Sequence, residues 1–246
     1  MDWLPIIAAP FIGSFLGVLI RRLPAGQPIG LARSACGSCG TTLGALDLVP
    51  IVSFLLLRGR CRNCQAPIGT FHLAIEVAAT LVALWATLIY AEQGWIWASC
   101  VLGWTLLALA WIDIEHMLLP DTLTLPLLLA GLGTTLLLQP ETITDQALGA
   151  ALGYIVFRAV GAGYRISRGR TGLGGGDAKL LAAAGGWLGW QALPWIVVGA
   201  SLGGIVAALI ACLLGHRISR TTAIPFGCFI AVATWLVWLY GLPIPQ

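Results

Sequence analysis

The chain has almost no charge. Only 9% of its 246 residues are Asp, Glu, Lys or Arg, against about 25% in soluble domains. Histidine is scarcer still, at three. So small a polar supply, beside an apolar fraction of 59% and a mean hydropathy of +0.92, is the composition of a polytopic membrane protein. Three scattered histidines exclude a credible Ser/His/Asp set. The one glycine run lacks the GKS/T ending of a Walker A loop. No basic-aromatic pattern for nucleic acid, no internal repeat and no low-complexity tract is present. No cleavable signal peptide is evident either. "MDWLPIIAAPFIGSFLGVLIRRLP" places an acid before the apolar run and the arginines after it, the reverse of signal-peptide order. The segment reads as a retained first span with its N-terminus outside the cytoplasm.

What is present is a series of apolar stretches, at roughly 3–20, 72–91, 96–114, 122–138, 147–164, 178–191, 194–214 and 224–242. A crossing helix needs about 20 residues, with about 17 tolerated. The expected fold is an all-α polytopic membrane protein of about eight transmembrane helices, with seven as the alternative because the sixth stretch is short. With eight spans, the cytoplasmic loops are roughly 21–71, 115–121, 165–177 and 215–223. All 13 Lys and Arg fall in or beside them, Arg158 lying deepest inside a span, while the opposite loops around Glu92, Glu141 and Asp145 carry none. That asymmetry obeys the positive-inside rule. Three parts are expected: a first transmembrane helix over 1–22, a small cytoplasmic insert over 23–71, and a membrane-embedded core over 72–246.

The insert contains "CGSCGTTLGALDLVPIVSFLLLRGRCRNC". Cys36 and Cys39 form one CxxC and Cys61 and Cys64 a second, with 21 residues between the pairs. Two such knuckles can bring four thiolates into the tetrahedron that Zn²⁺ prefers. In a reducing cytoplasm structural disulfides are rare, and four cysteine ligands close the site, so the metal is expected to stabilise the insert and not to act on substrate. The run "LVPIVSFLLL" (48–57) is too short to span; it packs against the knuckles or lies at the membrane interface. Cys100, Cys212 and Cys228 fall in apolar segments, where free cysteine behaves as a small hydrophobe.

Of ten Asp and Glu, three lie in "ALAWIDIEHMLLPDTLTLP" and one follows the glycine run of "GLGGGDAKLL". An ionisable group in or beside hydrocarbon is a functional hypothesis by default. Asp121 is also explicable as a helix N-cap, as is Asp177. Glu115 and His116 fit a solvated loop, and Glu76 fits a pairing with one of the arginines. Asp113 is hardest to explain structurally, because it ends an apolar helix where the dipole disfavours negative charge. The expected topology puts Asp113 and Asp177 at similar depth on one side. Two carboxylates in a partly dry pocket cannot both ionise easily; they share a proton, as in aspartic proteases. Glycines 174 to 176 would let a peptide backbone approach Asp177 closely.

With these motifs in place, the chain resembles the type IV prepilin leader peptidases, membrane aspartic proteases of the GxGD type. The segments that carry the likeness are "GSFLGVLIRRLP", the paired CxxC loop followed by "FHLAIEVAATLVA", "WIDIEHMLLPD", "GLGGGDAKLLAAAGGWLGWQALP" and "IPFGCFIA". The resemblance implies that Asp113 and Asp177 are the catalytic pair. It implies cleavage after a glycine in the short basic leader of prepilins, and of the pseudopilins of type II secretion, on the cytoplasmic face of the bacterial inner membrane. Many members also methylate the new N-terminus with S-adenosylmethionine, an activity attributed to the insert. The donor-binding residues are not legible, since no glycine motif in the insert is a nucleotide fingerprint. Gly17, Arg21, Glu115 and Gly175 stand where the family usually has Asn, His, Asp and Tyr. These departures spare both aspartates and all four cysteines. The expected partners are the prepilin or pseudopilin substrate helix and the bilayer, with no nucleic acid. Glu115, Asp121 and Lys179 are candidates to tune the pair or bind the leader. The rival readings are an ion-coupled transporter, which would place its acids near the bilayer midplane in repeated halves, and a non-enzymatic scaffold held by the zinc loop.

Overall fold

A computed structural model describes residues 3–29, 34–169, 174–215 and 224–241. Arg33, Arg170, Arg217 and Arg220, four of the basic residues used for topology, lie outside them. Among the described residues there is no strand, only two isolated antiparallel bridges, Ala35 with Thr42 and Arg60 with Pro67. The chain divides into two compact units, residues 1–108 and 109–246.

In the first unit α1 (Leu4–Arg22) packs on α3 (Phe71–Ile89). Both helices bury small residues at four-residue spacing, Ala9, Gly13 and Gly17 on α1 and Ala79 and Ala83 on α3. This is the small-residue stripe that lets membrane helices approach closely. The approach is tight enough that a Cβ on Gly13 would lie 2.7 Å from Glu76 Cα. The indole of Trp104, on α4 (Gln93–His116), donates to Ala79 O at 2.9 Å. Between α1 and α3 the insert folds as two cysteine knuckles, a 3₁₀ turn (Ala45–Leu48) and the short α2 (Val52–Leu56).

The second unit is built around α7 (Gly175–Leu188). Its partners are α5 (Asp121–Leu138), α6 (Ile143–Arg168) and α9 (Phe226–Tyr240), and α8 (Leu193–Leu213) packs against α9. Ten of the 14 residues of α7 are buried, which makes it the core helix. Its run Leu180–Trp187 is small or apolar on every side, as burial on all faces requires. Trp187 donates to Leu127 O at 2.7 Å and meets Trp238 edge-on at 5.3 Å.

Helices occupy all eight stretches expected from the sequence. Six of them are long and apolar enough to cross a membrane: α1, α3, α4, α5, α6 and α8. α7 and α9 have 14 and 15 residues, about 21–23 Å at 1.5 Å per residue, against a hydrocarbon core of about 30 Å. α7 is short because it starts at the glycine run and stops at Gly189, where φ is +81°. Enclosed by α5, α6 and α9, it gains little from reaching both lipid surfaces.

Candidate active site

Three carboxylates are buried among the described residues: Glu76, Asp113 and Asp177. Glu76 belongs to the first unit and the two aspartates to the second. Glu76 accepts the Ile51 N–H at 2.7 Å, so its role is to pin the insert to α3, not the arginine pairing considered from sequence.

Asp113 lies in the last turn of α4, where its charge should be unfavourable. A second helix supplies the compensation. Oδ2 accepts the Cys228 N–H at 2.9 Å, and the Gly227 N–H also bonds the carboxylate. These amides belong to the first turn of α9, whose opening N–H groups have no partner within their own helix. Asp113 therefore sits at the positive end of α9. The position next to it must be glycine: a Cβ on Gly227 would lie 3.0 Å from Asp113 Oδ2 and 2.8 Å from Leu119 Cδ1. Sequence reasoning found the "IPFGC" segment but not this role. The apolar stretch at 224–242 was expected as a span, yet nothing local could say which acid would reach its start.

Asp177 is the third residue of α7, not its N-cap, and its Oδ2 accepts the Gly174 N–H at 3.1 Å. This reach back over the first turn is the acidic half of a capping box. Leu119 brings the two sites together. It contacts the first turn of α9 beside Gly227, and its Cβ would lie 2.8 Å from a Cβ on Gly176. The carboxylates are near enough for the Asp113 charge to act on Asp177.

The other acids surround the pair. Asp121 is the first residue of α5 and meets Lys179 of α7, with Nζ at 2.5 and 2.6 Å from its two oxygens. Glu115 accepts the Trp111 indole N–H at 2.9 Å and lies 3.7 Å from His116 Nε2, at the exposed end of α4. Arg158 of α6 reaches the start of α7, where its Nη1 would be 3.5 Å from a Cβ on Gly175.

The four sulfurs of Cys36, Cys39, Cys61 and Cys64 lie within 4.8 Å of one another, with Cys36 and Cys64 at 3.8 Å. Tetrahedral Zn–S bonds of about 2.3 Å place sulfurs about 3.8 Å apart, so the set fits a structural metal. Each knuckle is closed by a backbone hydrogen bond, Cys36 N–H donating to Thr41 O and Cys61 N–H to Ala66 O, both 2.9 Å. The residue after each second cysteine, Gly40 or Gln65, takes positive φ. Hydrogen bonds from the Thr41 hydroxyl and amide pull the Cys39 thiol down to about 6. The amides of Cys64 and Asn63 lower Cys61. Against the Ala66 amide, which acts to lower it, burial and the neighbouring thiols push Cys64 up to about 11. The Arg62 guanidinium donates to Asp47 at 2.8 Å and holds that carboxyl below the usual range, which ties the second knuckle to the 3₁₀ turn. His116 is not part of this cluster.

The fold and site define a helical membrane protein with two buried aspartates at converging helix ends and a separate four-thiol cluster. Residues 7–90 match the Bacterial Peptidase A24 N-terminal domain, and residues 100–215 match the Type IV leader peptidase family. A prepilin leader peptidase/N-methyltransferase of Aeromonas hydrophila is 38% identical, over 94% of this chain and 87% of its own. Proteins of the same name from Burkholderia pseudomallei (strain K96243) and Pseudomonas aeruginosa are 36% and 35% identical, over 97% and 96% of this chain and 85% and 89% of their own. No solved structure matches. The chain belongs to the type IV leader peptidase family.

Proposed function

We propose that this protein is a membrane aspartic endopeptidase that cleaves the basic leader of type IV prepilins and pseudopilins after glycine. The observation that carries the reading is the convergence of Asp113 and Asp177 on Leu119 at the first turns of α9 and α7. The ionised member of the pair takes a proton from water as that water attacks the scissile carbonyl. The protonated member donates a hydrogen bond to the carbonyl oxygen. Collapse of the tetrahedral adduct passes a proton to the departing amine and restores one proton shared by the pair. Both acids sit at helix ends, Asp113 near the end of α4 and Asp177 near the start of α7. That favours an interfacial protease over a transporter with acids at midplane.

We further propose the eight-span arrangement, with α7 and α9 counted as spans, the N-terminus outside and the pair facing the cytoplasm from the inner membrane. Its functional parts are the first helix (1–22), the insert (23–71) and the peptidase core (72–246). In this reading Cys36, Cys39, Cys61 and Cys64 hold structural zinc, which fixes the insert and takes no part in hydrolysis.

A second activity, N-methylation of the new N-terminus, is favoured by a cavity of about 640 Å³ in the first unit. Ligand pockets run to roughly 300–1,000 Å³. This one is lined by Asp47, Glu76, Phe54 and His72 among others. Asp47 and Glu76 are bonded to Arg62 and Ile51, and Arg21 and Arg22 also line the cavity, so the support is the cavity's size and the Phe54 and His72 rings, which suit an adenine. S-adenosylmethionine held there would supply an electrophilic methyl group. The test incubates the purified protein with a prepilin, with and without this donor, and weighs the product. Loss of the leader supports the peptidase, and one added methyl supports the second activity. Asp113→Asn and Asp177→Asn should each fold, keep their metal and lose cleavage by about 10⁴-fold or more. Normal turnover by either sinks the pair.

A further inference from the structure

We infer that residues 46–56 of the insert form a knee that dips into the cytoplasmic-side leaflet, so that the insert is held on an anionic lipid surface as well as by its two flanking helices. Leu46, Leu48, Val52, Leu55 and Leu56 are all exposed, Leu46 and Leu56 by 76% and 78%. Leu48 also borders the cavity, so Leu46, Val52, Leu55 and Leu56 form the exposed apolar patch, of the kind that marks a contact with a partner or a membrane. The opposite face of α2 is already in use: Ser53, Phe54 and Leu57 line the cavity, and Phe54 closes under Gly59.

The depth of the knee says what covers the exposed face. Arg21 near the end of α1 lies over the Phe71 ring at 4.0 Å, which marks the polar end of the α1–α3 pair. Glu76 is five residues further along α3, about 7–8 Å deeper at 1.5 Å per residue. At that level Gly13 packs against Glu76 Cα. Ile51, which leads into α2, is bonded to Glu76 at 2.7 Å. Because helical side chains lean toward the helix start, the Glu76 carboxylate holds Ile51 between the level of Glu76 Cα and the polar ends of α1 and α3. That is within the headgroup boundary, about 5–10 Å deep, where interfacial segments bury their apolar faces. Ile51 takes φ +61°, a conformation costly for a β-branched residue, and the Glu76 bond holds it in this sharp entry. Arg58 and Arg60 follow the apolar run and are exposed. They lie where anionic headgroups would meet a segment leaving the leaflet.

The test uses the full-length, zinc-loaded protein in phosphatidylethanolamine/phosphatidylglycerol vesicles doped with a lipid carrying a diazirine in its acyl chain. After illumination, adducts are mapped by peptide mass spectrometry. Adducts are expected on residues 46–56 as readily as on Leu202, Ile205 and Leu209, exposed residues of α8. Leu55→Glu with Leu56→Glu should cut the knee adducts at least about fivefold and leave α8 labelling and zinc content unchanged. Replacing phosphatidylglycerol by phosphatidylcholine should cut knee labelling at least about threefold, but not that of α8. A knee that stays unlabelled while α8 is labelled overturns the proposal, whether or not added prepilin covers it. So does knee labelling that ignores the double substitution. Equal labelling in the two lipid mixtures overturns the anionic preference.

Discussion

Gly227→Ala is the sharpest perturbation of the site, because it adds one carbon beside a carboxylate it does not replace. The new Cβ would lie 2.8 Å from Leu119 Cδ1, 3.0 Å from Asp113 Oδ2 and 3.1 Å from Asp113 Cγ, while ordinary contact begins near 3.4 Å. Leu119 can answer by swinging the end of its side chain. Asp113 can answer only by drawing back, and the bonds that hold it come from the same turn, including the Cys228 N–H at 2.9 Å. A hydrogen bond to a charged group contributes about 1.5–3 kcal/mol. If its loss falls wholly on the transition state, cleavage slows by about 10- to 150-fold. Alanine gains up to about 1 kcal/mol of helix propensity over glycine, which offsets only part of an overpacking cost of about 1–3 kcal/mol, so the melting temperature should fall modestly while the protein stays folded. The assay is single-turnover cleavage of a prepilin, with the melting temperature measured on the same preparation. Adding Leu119→Ala removes the contact with Cδ1 but not the one with Asp113, so the double variant should stay slow. A stable Gly227→Ala enzyme cutting at the wild-type rate would refute the claim that α9 positions Asp113.

Three further outcomes follow from the same geometry. Removing the proposed zinc with a chelator should expose residues 36–64 to protease while far-UV helicity is kept, because the cluster's four thiols all lie in the insert; an unchanged digestion pattern would count against a structural metal. Lys179→Met breaks the pair with Asp121 that ties α5 to α7, but both side chains are partly exposed, so stability should drop by only about 0–1 kcal/mol. A cleavage loss of more than about tenfold without a matching fall in melting temperature would show instead that Lys179 contacts the leader. Gly175→Tyr should be tolerated within about 0.5 kcal/mol, whereas Gly176→Ala should cost about 1–3 kcal/mol by overpacking, both read from thermal unfolding.

The sequence carried the local features well and the distant ones poorly. Apolar runs located eight helices, because that signal is written within each segment. The cysteine spacing was enough to bring four thiols together for the same reason. The shortness of α7 was legible, but its enclosure was not: "AKLLAAAGGWLGWQ" is equally apolar whether its surroundings are lipid or protein. The partner of Glu76 was also hidden, since an amide such as that of Ile51 leaves no mark in composition. Asp113 could be seen to need compensation. That it comes from α9, more than a hundred residues on, depends on tertiary packing alone.

The glycine run shows how far such packing can explain a motif. A Cβ on Gly174 would lie 3.1 Å from Asp177 Oδ2, crowding the carboxylate that caps the turn. One on Gly176 would lie 2.8 Å from Leu119 Cβ, the stem of a side chain already wedged against Gly227. One on Gly175 would meet only Arg158 Nη1, at 3.5 Å, an ordinary contact at the end of a flexible side chain. Glycine is therefore demanded at 176, favoured at 174 and merely allowed at 175. The three residues before Asp177 obey a G-x-G rule for steric reasons, and Gly175 can differ from the family's usual tyrosine without disturbing the acid. Gly17 is the opposite case. A Cβ there would lie 2.6 Å from His72 Nδ1, so the usual asparagine cannot be restored while His72 keeps its place. Gly17, Arg21 and His72 all line the first unit's cavity, so the departures at 17 and 21 reshape the wall of that cavity.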